Sequence, residues 1–302
     1  MTTAAAFAKF NAKTTADEVA KGFDLSGKLV VITGANTGIG YETARSLAAV
    51  GARVLLACRS AEKGADAVER IRAAHPKADV ALAGLDLASF TSIDAFAANL
   101  LEAKIDIFIG NAGVLNPSYR ESDGGIEHTV GISHLGHFRL VRALLPKLLA
   151  GGGGRVVMLG SEAHRSPKTL DFEGFPLTGE NFSQMVSYGQ AKLCNTLFAN
   201  ELQRRYGDQG LTACSLHPGN LVTTEIGRGS LLTRFAMLLA SPFTKTPSQG
   251  AATSVVCALH PDTGVLAGKY LSHCQQVRMS REAEDPAVAK RLWELSEGWC
   301  GA

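Results

Sequence analysis

From Lys28 onward, short and almost wholly apolar runs alternate with longer stretches whose apolar residues recur at helical spacing. The runs fall at residues 29–32, 54–56, 80–82, 105–109, 156–159 and 211–216, with one more expected near 269–271. A strand that lacks polar alternation is buried on both faces, and the helices between such strands supply the cover. Right-handed βαβ crossovers then leave few topologies. The pattern predicts an α/β fold, a doubly wound parallel sheet of about seven strands in the order 3-2-1-4-5-6-7 with helices on both faces.

Nothing divides the chain in two. It has no internal repeat and no Pro- or Ser-rich linker, and the four glycines at 151–154 read as a tight turn because an apolar strand follows at once. The expected organisation is a single domain over residues 28–302, preceded by an N-terminal arm over residues 1–27. Inside the arm, Thr15-Ala16-Asp17-Glu18 has capping-box spacing. That fits either a short helix docked on the sheet edge or a frayed terminus.

Composition narrows the function. Of 302 residues, 46% are hydrophobic and 19% charged, and 32 are glycine, which predicts a large core with close backbone approaches and excludes disorder, collagen and a small disulfide scaffold. Thirty basic against 28 acidic residues leave a net charge of +2 with no long run of one sign, so no nucleic-acid partner is expected and any charged ligand must be held locally. Cys58, Cys194, Cys214, Cys257, Cys274 and Cys300 show no C-x-x-C pair and no zinc spacing. They read as buried thiols in a cytoplasmic or other reducing compartment, without a metal site. No secretory signal is expected at the N-terminus. The nearest approach to a membrane span, residues 231–243, is too short and carries Arg234, so a soluble protein without a transmembrane segment is expected.

Two motifs carry chemistry by their residue types alone. Directly after the first run stands Thr33-Gly34-Ala35-Asn36-Thr37-Gly38-Ile39-Gly40, and residues 41–50 continue at helical period. Glycines there let the backbone turn sharply and approach a pyrophosphate, while the helix N-terminus offers free N–H donors and a positive dipole end. The alternative is that they serve helix–strand packing only. In NAD enzymes of this architecture an acidic residue ending the second strand takes the ribose 2′-hydroxyl. Here Arg59 stands in that place, followed by Ser60. A guanidinium suits a 2′-phosphate, which predicts NADP(H); a solvated Arg at a helix start is the alternative, although a cation there opposes the dipole. The second motif is Tyr188 with Lys192, four apart on one helical face. A neighbouring ammonium favours the phenolate, so the pair can exchange a proton with a substrate oxygen.

Further motifs follow in order: Asp86-Leu87 after the third strand, Asn111-Ala112-Gly113 after the fourth, Ser161 after the fifth, Tyr188-Gly189-Gln190-Ala191-Lys192, and Pro218-Gly219 after the sixth. From about Leu25 to the C-terminus the chain resembles the short-chain dehydrogenase/reductases, a Rossmann-fold family. The stretches Ala57-Cys58-Arg59, His134-Leu135-Gly136-His137-Phe138, Lys192-Leu193-Cys194-Asn195 and His217-Pro218-Gly219 resemble its retinol dehydrogenase and WW-domain-containing oxidoreductase branch. Residues 242–245 and 249–253 look closest to the latter. The first 28 residues are too few for WW modules, so neither these nor an N-terminal membrane anchor of the kind many retinol dehydrogenases carry is expected.

The resemblance implies roles. Tyr188 gives a proton to a carbonyl as hydride arrives from the nicotinamide, Lys192 also holds the nicotinamide ribose, and Ser161 hydrogen-bonds the same substrate oxygen. Asp86 and Leu87 lie by the adenine, and Asn111, Ala112 and Gly113 pass under the adenosine ribose. Pro218, Gly219 and Thr223 face the carboxamide. Each of these cofactor positions also has a reading as an ordinary strand-end turn. Two departures stand out. Ser133 occupies the place of the family's usual Asn, a fourth catalytic member that holds a water linked to the lysine; a hydroxyl is shorter and has fewer bonding sites, so the proton relay is expected to be slower or rerouted. Gly110 replaces a frequent second Asn. His137, His164 and His217 lie inside family motifs and are read as structural.

Substrate selection is expected in residues 163–186 and 224–248. The apolar spacing at 231–239 could form a lid over a bulky apolar substrate, core packing, a dimer contact or a membrane contact. The expected activity is that of an NADP(H)-dependent carbonyl reductase or alcohol dehydrogenase acting on a hydrophobic ketone, aldehyde or alcohol. The alternatives are an NADP(H)-binding sensor or interaction protein with catalysis weakened through Ser133, and a reductase of a large conjugated substrate such as a tetrapyrrole. The long helices after Asn111 and Ser183 could also pair across a two-fold as a homodimer.

Overall fold

The computed structural model describes residues 4–219 and 245–301. Its strands are β1 Leu29–Thr33, β2 Arg53–Cys58, β3 Val80–Gly84, β4 Ile107–Gly110, β5 Glu121–Ser122, β6 Ile126–Glu127, β7 Arg155–Leu159, β8 Thr212–His217, β9 Tyr270–Ser272 and β10 Gln275–Val277. Eight of them form one sheet in the order β10-β9-β8-β7-β4-β1-β2-β3, and β5 pairs only with β6. All neighbours in the large sheet run parallel except β10, which is antiparallel to β9. The predicted parallel order is therefore present. The eighth strand is an addition, reached from β9 through a reversal at His273 and Cys274, whose φ values are 53° and 66°. It is three residues long and polar at Gln275 and Gln276, too short to leave a periodic signal.

The helices are α1 Ala4–Phe7, α2 Ala16–Ala20, α3 Gly38–Ala49, α4 Ala61–Ala74, α5 Phe90–Asn99, α6 His128–Val130, α7 Gly136–Leu149, α8 Gln184–Tyr206, α9 Pro247–Leu259, α10 Arg281–Glu284 and α11 Pro286–Trp299. A π-helical turn, Gly131–Leu135, joins α6 to α7. No helix of the described residues is long and apolar enough to cross a membrane.

The apolar runs are explained by two cores, one on each face of the sheet. Successive strand side chains point to opposite faces, and Leu29 and Val31 of β1 enter one core while Val30 and Ile32 enter the other. Likewise Phe108 of β4 faces the first core and Ile107 and Ile109 the second. The first core is closed by α5, α7, α8 and α11 through residues such as Ile93, Phe138, Leu197 and Trp293; the second by α3, α4 and α9 through Leu47, Ile71 and Val255. Each fully buried Val, Leu or Ile contributes about 1.5–3 kcal/mol. The parallel strands from β3 across to β8 all end at one rim, where the loops that follow Thr33, Cys58, Gly84, Gly110, Leu159 and His217 converge.

The capping box forms: Thr15 accepts from the Glu18 backbone and Glu18 returns a bond of 2.7 Å to the Thr15 N–H. The short helix does not dock on the sheet edge as expected. Val19 and Ala20 are buried, α2 packs on α3 and α9, and Asp17 bonds Arg45 and Ser46 of α3 at 2.7 and 2.6 Å. Helices provide the apolar cover that Val19 needs, whereas the sheet edge is finished by β10, whose Gln275 amide donates to the carbonyls of Phe7 and Phe10.

The glycine run is a turn between α7 and β7, with φ of 62°, 90° and 92° at Gly151, Gly152 and Gly153. A Cβ on Gly153 would stand 2.1 Å from the carbonyl oxygen of Gly210, while one on Gly152 would meet nothing within 4 Å. Gly152→Ala should therefore cost only the positive-φ strain, on the order of 1–2 kcal/mol, and Gly153→Ala distinctly more because backbone must move. Urea unfolding of the two variants checks this, and equal midpoints would remove the steric account.

Candidate active site

The loops at the carboxyl rim enclose a cleft of about 600 Å³. On the β1–β2 side it is lined by Gly34, Asn36, Thr37, Gly38, Ile39 and Gly40, with Arg59 and Ser60 beyond them. Asp86 and Leu87 follow after β3, Asn111, Ala112 and Gly113 after β4, and Tyr188, Lys192 and Pro218 close the β7–β8 side. Nearly all the residues singled out from sequence thus share one cavity.

At the glycine loop, Gly34 and Gly38 have φ of 63° and 60°. A Cβ on Gly40 would lie 2.4 Å from the Asn111 amide and 2.6 Å from the Gly34 carbonyl oxygen, so this turn requires its glycines. Thr37 precedes α3 without a side-chain cap, and the first turn of α3 holds no acidic residue. Its N–H donors are left for an anion. By contrast the Ser60 hydroxyl accepts from the Lys63 N–H at 3.3 Å and caps α4. Arg59 is exposed and makes no ion pair or hydrogen bond among the described residues. Asn111 donates its amide to the carbonyls of Thr33 and Gly34 at 2.8 and 3.1 Å, tying the end of β4 to the glycine loop.

At the other end, the Lys192 ammonium is buried, donates to the Leu159 carbonyl at 3.1 Å and lies 5.6 Å from the centre of the Tyr188 ring. Burial pulls its pKa down to about 8. Ser161 stands at the end of β7, accepts from the Ala163 N–H at 3.2 Å and hydrogen-bonds the Tyr188 phenol. Burial pushes that phenol above its ordinary value, and the Ser161 bond offsets this in part. Desolvation is the largest influence on the phenol in this geometry, with the Lys192 ammonium standing over the ring.

Ser133 lies in the π-helical turn, a local form frequent at functional sites. Its hydroxyl is buried and has no hydrogen-bond partner among the described residues. A Cβ on Gly113 would stand 3.2 Å from Lys192 Nζ and 3.4 Å from Ser133 Oγ, so both groups border the same narrow space. The Gly110 departure has a steric reason, since a Cβ there would meet Met158 Sδ at 2.6 Å and the His137 ring at 3.2 Å. Gly219, with φ of 110°, makes room for the Lys245 side chain. Thr223 and residues 224–244 of the expected substrate-side segment lie outside the described residues.

Several cleft residues escaped the sequence reading. Asn116, Arg120 and His128 line it; they flank a hairpin whose strands are two residues long and which leaves no periodic trace. Lys63, on the first turn of α4, stands four residues after Arg59 and could have been found by spacing. His164 sits in the loop after β7 with both ring nitrogens bonded, to the Ser161 carbonyl at 2.6 Å and the Ser280 N–H at 3.2 Å.

A sequence profile described as short chain dehydrogenase matches residues 28–172. The chain is 42% identical over 297 residues to a WW domain-containing oxidoreductase of Gallus gallus, an alignment covering 96% of this chain and 72% of that protein. It is 45% identical over 276 residues to retinol dehydrogenase 12 of Mus musculus, covering 90% and 86%. Among solved structures, an uncharacterized protein from Mycobacterium paratuberculosis superimposes with a TM-score of 0.76 at 31% identity, covering 94% of this chain and 97% of that one. The RhlG/NADP complex of Pseudomonas aeruginosa gives 0.64 at 24% identity, covering 83% and 96%, a likeness of fold.

Two buried histidines near the site bear on acid stability. Burial holds His134 down to about 3 and His137 down to about 4, against 6.5 for a free imidazole. The unfolded chain binds these protons first, so stability should be flat above about pH 6.5 in this respect and fall as pH drops from there toward 4, by roughly 1.4 kcal/mol per unit for each ring. Urea midpoints compared near neutrality and near pH 5 test it; equal midpoints would contradict the burial of neutral rings.

Proposed function

Because this chain belongs to the short chain dehydrogenase family, in the branch of the WW domain-containing oxidoreductases and retinol dehydrogenases, it is an oxidoreductase, and we propose that it is an NADP(H)-dependent one acting on a hydrophobic ketone, aldehyde or alcohol. One observation carries the reading: a single cleft joins an uncapped helix N-terminus, an unpaired guanidinium, and a buried ammonium beside a phenol that is bonded to a serine.

The residues fit a dinucleotide. The free amides of α3 and the glycine turn suit a diphosphate, and Arg59 suits a 2′-phosphate. Asp86 and Leu87 would border the adenine, Asn111, Ala112 and Gly113 the ribose beside it, and Pro218, Gly219 and Thr223 the carboxamide. When bound, the nicotinamide supplies or accepts the hydride. The chain's own groups handle the proton. Tyr188 gives it to the substrate oxygen, and Ser161 hydrogen-bonds that oxygen as charge develops on it. Lys192 holds the nicotinamide ribose and favours the phenolate as the proton leaves. Ser133, bordering the space beside Lys192, holds a water that replaces the proton, with fewer bonding sites than a carboxamide would offer. An apolar substrate is supported by Met185 and Val186, 61% and 46% exposed on the first turn of α8 just before Tyr188.

A second reading is favoured by the upward shift of the Tyr188 phenol together with Ser133: an NADP(H)-binding sensor with weak turnover. A panel of aldehydes and ketones separates the two, because both bind nucleotide and only the enzyme consumes it.

Two substitutions test the assignment. Arg59→Asp should raise the KM for NADPH about ten- to a hundredfold, the loss of a charge-assisted hydrogen bond, and leave that for NADH nearly unchanged; a parallel loss for both cofactors sinks the cofactor choice. Tyr188→Phe should lower kcat by at least about a hundredfold while the Kd for NADPH stays within a few-fold. Retained turnover would refute the role of Tyr188.

A further inference from the structure

The His137 ring, fully buried, touches both halves of the site without lining the cleft, and its surroundings fix where its proton must be. The Thr33 hydroxyl oxygen accepts from the backbone N–H groups of Asn111 and Ala112, each at 3.0 Å. With both lone pairs used, its own proton is free to donate, and the nearest acceptor is His137 Nε2 at 2.8 Å; the Ile109 carbonyl is farther, at 3.5 Å. Nε2 is then the unprotonated nitrogen. Nδ1 carries the hydrogen and donates to the Ser133 carbonyl at 2.9 Å. A continuous chain of bonds thus runs from Asn111 and Ala112 through Thr33 and His137 to the π-helical turn at Ser133. The opposite tautomer would set two lone pairs against each other at Ser133 and leave the Thr33 proton without its partner, at a cost buried groups do not sustain.

We propose that His137, as the neutral Nδ1–H tautomer, is a positioning residue that holds the Asn111–Gly113 floor and the Ser133 turn in register. The inference rests on the proposed function, since it assigns catalytic meaning to what lies at each end of the chain. The floor after β4 is the proposed nucleotide contact. The turn places the Ser133 hydroxyl beside Lys192, with Gly113 bordering both. His137 has a separate bond to each side, so the two consequences are separable.

His137→Asn keeps a donor where Nδ1 stood and loses the acceptor toward Thr33. His137→Gln reaches the Nε2 position and loses the donor toward Ser133. The expected result is crossed. Asn should retain kcat within a few-fold and weaken NADPH binding, whereas Gln should retain NADPH binding and lose about ten- to a hundredfold in kcat. Rates are compared per folded molecule, with Tm measured alongside. Parallel losses in both variants, or no loss in either, would overturn the proposal, because a merely space-filling histidine gives no crossed pattern. Nitrogen NMR shifts of His137 in the wild-type protein read the tautomer directly and need no ligand; an Nε2–H ring overturns the proposal whatever the protein binds. A wild-type chain that fails to bind NADPH removes the proposed function itself and with it the catalytic meaning of the register. A wild type that binds and turns over, with variants that do not cross, refutes the role of His137 alone.

Discussion

Burial of the parallel sheet on both faces is the constraint on which the rest depends. Each central strand sends alternate side chains into two cores, so helices must lie on both sides, and the connections must cross over in the same sense. Strands that run the same way deliver their carboxyl ends to one rim. The cleft is therefore a by-product of packing: loops from residues far apart in sequence meet there because Val31, Phe108 and Val156 are buried in the same core.

Electrostatics then act locally. With a net charge of +2 the molecule has no general field to draw an anion, and the positive groups lining the cleft include the amide end of α3 at one end and the Lys192 ammonium at the other. The two groups meet opposite fates. The helix end is open to the cleft, whereas Lys192 is buried against the Leu159 carbonyl and its hold on its proton is weakened by desolvation. The histidines nearby stay neutral for the same reason, and their value lies in directed hydrogen bonds rather than charge.

Much of this was legible in the chain. Apolar runs gave the strands and their order because a strand covered on both faces has no other composition available to it, and the motifs at strand ends named most of the cleft because strand ends are where the rim must be. What was not legible came from contacts between distant elements. The helix at Ala16–Ala20 could be foreseen from its cap, but its docking on α3 and α9 depends on Arg45 and Ser46 lying opposite Asp17. The direction of the Tyr188 shift needed the burial of the phenol, which spacing to Lys192 does not report. Arg120 and His128 reach the cleft from either side of a hairpin too short to show a period.

Arg59 has one further consequence. It sits at the end of β2, exposed and bonded to nothing among the described residues, while the strand before it is packed to Cys58. Nothing in either core leans on its side chain. The residue proposed to select between two nucleotides is thus mechanically detached from the scaffold that presents it, so cofactor preference and foldedness can be inherited and altered independently. A single codon change there could redirect the chain from one cellular electron pool to another while leaving its stability, and hence its abundance, almost as it was.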